Sequence, residues 1–163
     1  MKIQLSDNGS LIIDHNSADP HALAEISSNV FREVSRLESS YPNFRSWFFD
    51  NVATGLVDGS RSFIIELRYG KIAGVAILKN TPQEKKICTI SISEEFRSKG
   101  LGFRLFEKSM LLLGTDKPLA TVSDDRILEF EKIFNYLNYE FSAEYRGLYL
   151  PKKSEFSFNG ILQ

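Results

Sequence analysis

The residues best placed to do chemistry run Ser93-Glu94-Glu95-Phe96-Arg97-Ser98-Lys99-Gly100-Leu101-Gly102, between an apolar stretch ending at Ile92 and a helical pattern opening near Gly100. A strand, a loop and a helix whose first turn carries glycines form an anion site. The helix start exposes unpaired N–H groups and the positive end of the macrodipole, and glycine lets a phosphate approach the backbone. Arg97, Lys99 and Arg104 add local positive charge. The other reactive residue types are scattered. Cys88, the only cysteine, has no histidine near it in sequence, so a small buried thiol on the strand face of Ile90 and Ile92 is expected rather than a nucleophile. His15 and His21 lack metal-ligand spacing and read as surface residues. Lys152-Lys153 is too short for a nucleic-acid patch.

Positioning the loop requires strands before it and a helix after it. Asp19-Pro20 is a helix start, an N-cap with proline at the first position, and Leu23, Ile26, Val30, Val34 and Leu37 continue at helical spacing for about five turns. A second, shorter helix is expected over Tyr41 to Val57, ended by Asp58-Gly59. From Ser62 the period changes. Phe63 to Leu67 and Ile72 to Leu78 read as a hairpin through Tyr69-Gly70-Lys71, and Ile87 to Ile92 as a third strand. Gly100 to Leu113 is a helix with Arg104, Glu107 and Lys108 on a solvated face, followed by a strand over Pro118 to Val122 and a helix over Arg126 to Leu137. Terminal strands fall within Tyr139 to Tyr149 and over Glu155 to Phe158, and Lys2 to Leu5 with Leu11 to Ile13, parted by the turn-like Ser6 to Gly9, suggests a short opening strand or hairpin. One strand-helix-strand unit among antiparallel hairpins predicts an α/β (α+β) fold with a mixed, mostly antiparallel central sheet flanked by helices.

With 163 residues, no repeat and no linker, a single domain over 1–163 is expected. Hydrophobic residues are 42% and charged residues 25%, an ordinary globular composition. Twenty basic against 21 acidic side chains leave a net charge of -1, which argues against general nucleic-acid binding and mildly disfavours tRNA as a partner. A lone cysteine rules out an intrachain disulfide, and no apolar run approaches the ~18 residues of a membrane span. A cytoplasmic protein with no membrane partner is expected.

The loop and its flanks resemble the GCN5-related N-acetyltransferase (GNAT) superfamily, whose signature Arg/Gln-x-x-Gly-x-Gly/Ala follows an apolar-x-apolar strand and opens a helix. Here Ile90-Ser91-Ile92 precedes Arg97-Ser98-Lys99-Gly100-Leu101-Gly102, and Ile72 to Ala76 and Lys132 to Phe141 are similar to the strand before and the late helix after. The resemblance covers Ser62 to Phe141. It implies that Ile90 and Ile92 pair with the pantetheine arm of acetyl-CoA as if it were an extra strand. Arg97, Ser98, Lys99, Gly100, Leu101, Gly102 and Phe103 would then hold its pyrophosphate. An acetyl group would pass directly to a primary amine on a small molecule or protein, aminoacyl-tRNA being a further acceptor type in the family, with no metal and no covalent enzyme intermediate. Homodimers are common in the family.

The resemblance leaves the proton transfers open. A family tyrosine that protonates the leaving thiolate registers on Phe134, which has no proton to give, and Tyr136 is the nearest substitute. The position of a family glutamate base holds Lys86, leaving Glu84 or Glu66 as candidate bases, although a solvated surface position is the commoner fate of such a carboxylate. Tyr136 and Glu84 are therefore the catalytic candidates. An alternative from the same replacements is a coenzyme A binding or sensing module with weak turnover.

Overall fold

The computed structural model describes residues 8–162. The expected strand over Lys2 to Leu5 lies outside them.

The first helix forms as its sequence dictates. Asp19 is extended, its carboxylate accepts a hydrogen bond from Ala22 N–H at 2.8 Å, and Pro20 opens α1 (Pro20–Val34). Its Leu23, Val30, Phe31 and Val34 are buried. The helix does not run on to Leu37 as spacing predicts, because the chain tightens into a 3₁₀ turn over Ser35–Ser39. The second helical region is likewise interrupted. α2 (Phe44–Trp47) passes through a wide π turn, Phe48–Ala53, into α3 (Thr54–Asp58), which Gly59 terminates at φ 89°. The π turn turns Phe48 and Val52 into the core, where both are wholly buried.

Among the described residues, one sheet of seven strands carries everything else. In chain order these are β1 (Asn8–Ile13), β2 (Arg61–Arg68), β3 (Lys71–Asn80), β4 (Lys85–Ile92), β5 (Leu119–Ser123), β6 (Phe141–Arg146) and β7 (Ser154–Phe158). They lie side by side as β1-β2-β3-β4-β5-β7-β6. Every neighbouring pair is antiparallel except β4 and β5. Asn8 and Gly9, expected in a turn, instead pair with Arg68 and Leu67. The β2–β3 hairpin turns on Tyr69 and Gly70, both with positive φ. α4 (Leu101–Leu113) is the crossover between β4 and β5, and α5 (Ile127–Tyr136) follows β5.

Helices cover both faces of the sheet. α1 to α3 pack with Phe63, Leu67, Val75 and Ile77 on one side; α4 and α5 pack with Ile64, Leu78, Ile87 and Ile90 on the other. The charged side of α4 is less solvated than its pattern predicts. Lys108 Nζ reaches 2.6 Å from Glu66 Oε1, a carboxylate with 0% exposure that Arg68 and Ser10 also contact.

β4 is where the sheet opens. Ile77 lies opposite Thr89 and Leu78 opposite Ile87, so Cys88 is an extra residue, a bulge that bends the strand. β4 then touches β5 only at Lys86–Leu119 and Ile87–Ala120 before the two diverge. The bulge also corrects the placement of Cys88. It packs with the core beneath α1 to α3, on the face opposite Ile90 and Ile92.

Candidate functional site

The wedge between β4 and β5 exposes the backbone of β4 in a defined sense. Ser93 N–H bonds Ala73 C=O on β3 at 2.9 Å. Polar groups alternate along an antiparallel strand, so the amides and carbonyls of Ile92 and Ile90 point the other way, into the wedge. Ile92 C=O is met there by side chains. Arg36 donates to it at 3.0 Å and to Ser91 Oγ at 2.7 Å, and Arg97 Nε approaches it at 3.4 Å. Burial lowers the pKa of Arg36, and so does the positive charge of Arg97 and Arg126. Glu129, ion-paired to Arg126 at 3.5 Å, and Glu94 partly offset this positive charge.

The loop at that mouth is shaped by left-handed residues. Ser98 has φ 60° and Gly100 φ 80°, while Arg97 is extended, so successive N–H groups turn towards a common concave side. Among the described residues no side chain caps α4, and its first intrahelical bond runs from Arg104 N–H to Gly100 C=O at 3.2 Å. The amides before Arg104 are therefore left to an external acceptor. Open space surrounds the position of a Cβ at Gly100, and one at Gly102 meets only Ile133 Cδ1, at 3.4 Å. Lys99 rests over the Phe96 ring at 5.9 Å.

Two connected hollows continue the wedge. A narrow cleft of about 40 Å³ lies between β4 and β5 beside Phe106, Phe130 and Phe134. It shares Tyr41, Cys88, Thr89 and Thr121 with a chamber of about 320 Å³ on the α2 side of the sheet. The chamber walls are Phe44, Trp47 and Tyr149, with Lys86 and Glu155 as its charged side chains. A larger cavity of about 770 Å³ lies between α1 and the β2–β3 turn, but Phe96 is the only loop aromatic it reaches, and neither Ile90 nor Ile92 lines it.

Glu155 is the chamber's unusual group. It sits on β7 opposite Ser123 of β5 and is only 3% exposed. Burial pushes its pKa up to about 7, against hydrogen bonds from Thr121 and Tyr41 and the charges of Lys86 and Arg126. Tyr41 Oη lies 3.4 Å from its Oε1, and burial together with the Glu155 charge raises the tyrosine in turn. Cys88, partly buried on the shared wall, has its thiol pushed up by burial.

The residues singled out by sequence fall into two groups. Ile90, Ile92, Arg97 and the run Ser98 to Phe103 are brought together at the wedge mouth. Glu84 and Tyr136 are not in the hollows. Glu84 closes the β3–β4 turn, ion-paired to Lys79 Nζ at 3.0 Å and hydrogen-bonded to Thr81. Tyr136 is 72% exposed on the outer face of α5, its ring edge-on to Phe103 at 5.0 Å. Glu66 is consumed by Lys108 and Arg68. Phe134, 4% exposed, is a core ring stacked on Tyr139 at 5.3 Å. Sequence reading missed Arg36, Tyr41 and Glu155, whose roles depend on elements distant in the chain. Glu155 and Ser157 share one buried face of β7, which their alternation with phenylalanines conceals in the sequence.

Comparison with known proteins agrees with this geometry. The profile of the acetyltransferase (GNAT) family matches residues 21–111. No curated protein matches the chain. Among solved structures, a GNAT family acetyltransferase from Elizabethkingia anophelis with acetyl-CoA bound is similar over 94% of this chain and 97% of its own, at 11% identity and TM-score 0.59. An N-acetyltransferase from Staphylococcus aureus aligns over 91% of this chain and 98% of its own, at 14% identity and TM-score 0.53. The ribosomal-protein-S18-alanine N-acetyltransferase of Escherichia coli covers 61% of this chain and 67% of its own, at 16% identity and TM-score 0.54. These identities speak for the fold, and the profile, which spans more than half of the chain, speaks for the lineage: the protein belongs to the GNAT acetyltransferase family.

Proposed function

We propose that this protein is an acetyl-CoA-dependent N-acetyltransferase that moves an acetyl group directly onto a primary amine. The observation that carries the reading is the opened wedge. It leaves the Ile90 and Ile92 side of β4 without a neighbouring strand, next to a loop whose free amides and basic side chains suit a pyrophosphate. The fit extends to the neighbours of the wedge, since Arg36 and Arg97 bring positive charge to its mouth at Ile92 C=O. Ile90 and Ile92 would hold the pantetheine arm, and Arg97 with the Ser98 to Phe103 amides the pyrophosphate. The bound donor supplies an activated acetyl thioester. The protein's part is to align an amine entering from the chamber, to keep water out with Phe106, Phe130 and Phe134, and to accept the protons that the amine sheds.

Titration calorimetry with acetyl-CoA tests the donor site. Saturable binding at one site per chain is expected, with release of free thiol once a competent amine is added. Absence of binding removes the reading altogether. Binding without thiol release from any amine leaves the alternative of a coenzyme A sensing module, which Phe134 in place of a proton-donating tyrosine would then explain.

A further inference from the structure

Resting on the donor site above, the geometry points to Glu155 as the group that deprotonates the acceptor, and to a small arylalkyl primary amine without a second positive charge as that acceptor. The chamber joins the cleft through Tyr41, Cys88, Thr89 and Thr121, so an amine seated in it faces the place where the thioester carbon must lie. Its volume, about 320 Å³, is at the lower end of the ~300–1,000 Å³ typical of small-molecule sites. Phe44, Trp47, Tyr41 and Tyr149 supply flat apolar walls, with Tyr41 and Tyr149 edge-on at 5.1 Å. Such walls suit an aromatic body, and their π faces attract an ammonium.

The charges sharpen the choice. Among the described residues, Glu155 is the chamber's one carboxylate, fixed on β7 and almost wholly covered. Facing it are Lys86 from β4, Thr121 from β5, Arg126 ahead of α5, Tyr41 after the 3₁₀ turn and Tyr149 from the β6–β7 connection. Beyond Tyr149 the Asp125–Lys153 ion pair, at 2.5 Å, closes the far side. Lys86 is half-buried and, among the described residues, makes no ion pair. A monoammonium can meet Glu155 while keeping its body against the rings. A polyamine or a lysine-rich peptide would bring a second cation towards Lys86 and Arg126, which opposes binding.

The proton count closes. The Glu155 carboxylate takes one proton from the bound ammonium, leaving a neutral amine. The nitrogen lone pair forms the C–N bond as the C–S bond breaks, and the sulfur leaves with that electron pair. The second proton shed by nitrogen ends on the sulfur, and Glu155 returns its proton to water. With the Glu155 pKa pushed up to about 7, the base form gains population as pH rises through neutrality.

The test uses the intact protein with acetyl-CoA and three acceptors, phenethylamine, spermidine and a lysine-containing hexapeptide. Phenethylamine is expected to be acetylated with kcat/KM at least about tenfold above the others, rising with pH to a plateau above about pH 7. In Glu155→Gln, kcat/KM should fall by about 100-fold and the limb near pH 7 should vanish, while acetyl-CoA affinity and thermal stability are retained. Preference for spermidine or the peptide overturns the acceptor assignment. Turnover in Glu155→Gln with an intact limb near pH 7 overturns the base, and if that variant does not fold, a wild-type profile lacking the limb does the same. Because acetyl-CoA titration is read separately, failure of phenethylamine while donor binding is intact and another amine is acetylated strikes this inference alone.

Discussion

Gly102→Glu is expected to lower acetyl-CoA affinity by at least about 100-fold while the protein stays folded. The backbone at Gly102 is ordinary helix, and a Cβ there meets only Ile133 Cδ1 at 3.4 Å, so the position tolerates a side chain with a slight shift of a flexible methyl. Gly102→Ala should therefore bind nearly normally. A glutamate instead places a negative charge among the amides that await the pyrophosphate. Like charges about 5 Å apart at an effective dielectric near 20 repel by about 3 kcal/mol, which is roughly two decades of affinity. Calorimetry on both variants, with a melting curve for each, separates charge from bulk. A folded Gly102→Glu protein with wild-type affinity would remove the loop from the donor site.

Lys108→Met should cost about 3 kcal/mol of stability, because it strands a carboxylate that has no access to water. Glu66 would have its pKa raised by burial. The hydrogen bonds from Lys108 and Ser10, with the Lys108 and Arg104 charges, reverse this and hold it below the ordinary glutamate value. For a domain of this size the melting temperature should drop by about 6–12 °C near neutral pH. The sign of the pH effect follows. A depressed pKa gives stability that is present above the unfolded-state value near 4.3 and is lost as pH falls through the folded one, so the gap between wild type and variant should narrow in acid. The double variant Glu66→Gln with Lys108→Met should recover much of the loss. A Lys108→Met melting temperature unchanged at pH 7 would show that Arg68, 3.3 Å from Glu66 Oε2, suffices alone.

The sequence was most legible where local chemistry decides the structure. Asp19-Pro20, Asp58-Gly59, Tyr69-Gly70 and the glycines after Arg97 each impose a backbone conformation, and each boundary lies where its residues demand. The strand periods from Arg61 to Ile92 were equally plain, since apolar runs of that length leave few alternatives. Departures occur where packing overrides periodicity. Leu37 keeps its burial in a 3₁₀ turn, and the π turn at Phe48–Ala53 rotates two apolar residues inward without breaking the apolar spacing. The bulge at Cys88 is invisible in composition, yet it moves that thiol to the opposite face and opens the wedge.

For the site, the donor half was legible and the acceptor half was not. Arg97 to Gly102 is contiguous, so its chemistry can be read along the chain. The chamber assembles Tyr41, Lys86, Thr121 and Glu155 from four separate segments, and no spacing rule connects them. Glu155 was further disguised, because a glutamate in a terminal strand with phenylalanines on alternate positions reads as the solvent-facing partner. β6 covers that strand on one side and β5 on the other, leaving Glu155 and Ser157 on an inward face.

The divergence of β4 from β5 also marks β4 with an alternating pattern of amide hydrogen exchange. Thr89 and Ser91 donate towards β3 and should exchange slowly, whereas Ile90 and Ile92 face the wedge and should exchange orders of magnitude faster. Adding acetyl-CoA should slow these two amides selectively, completing a ladder that the chain itself leaves one strand short.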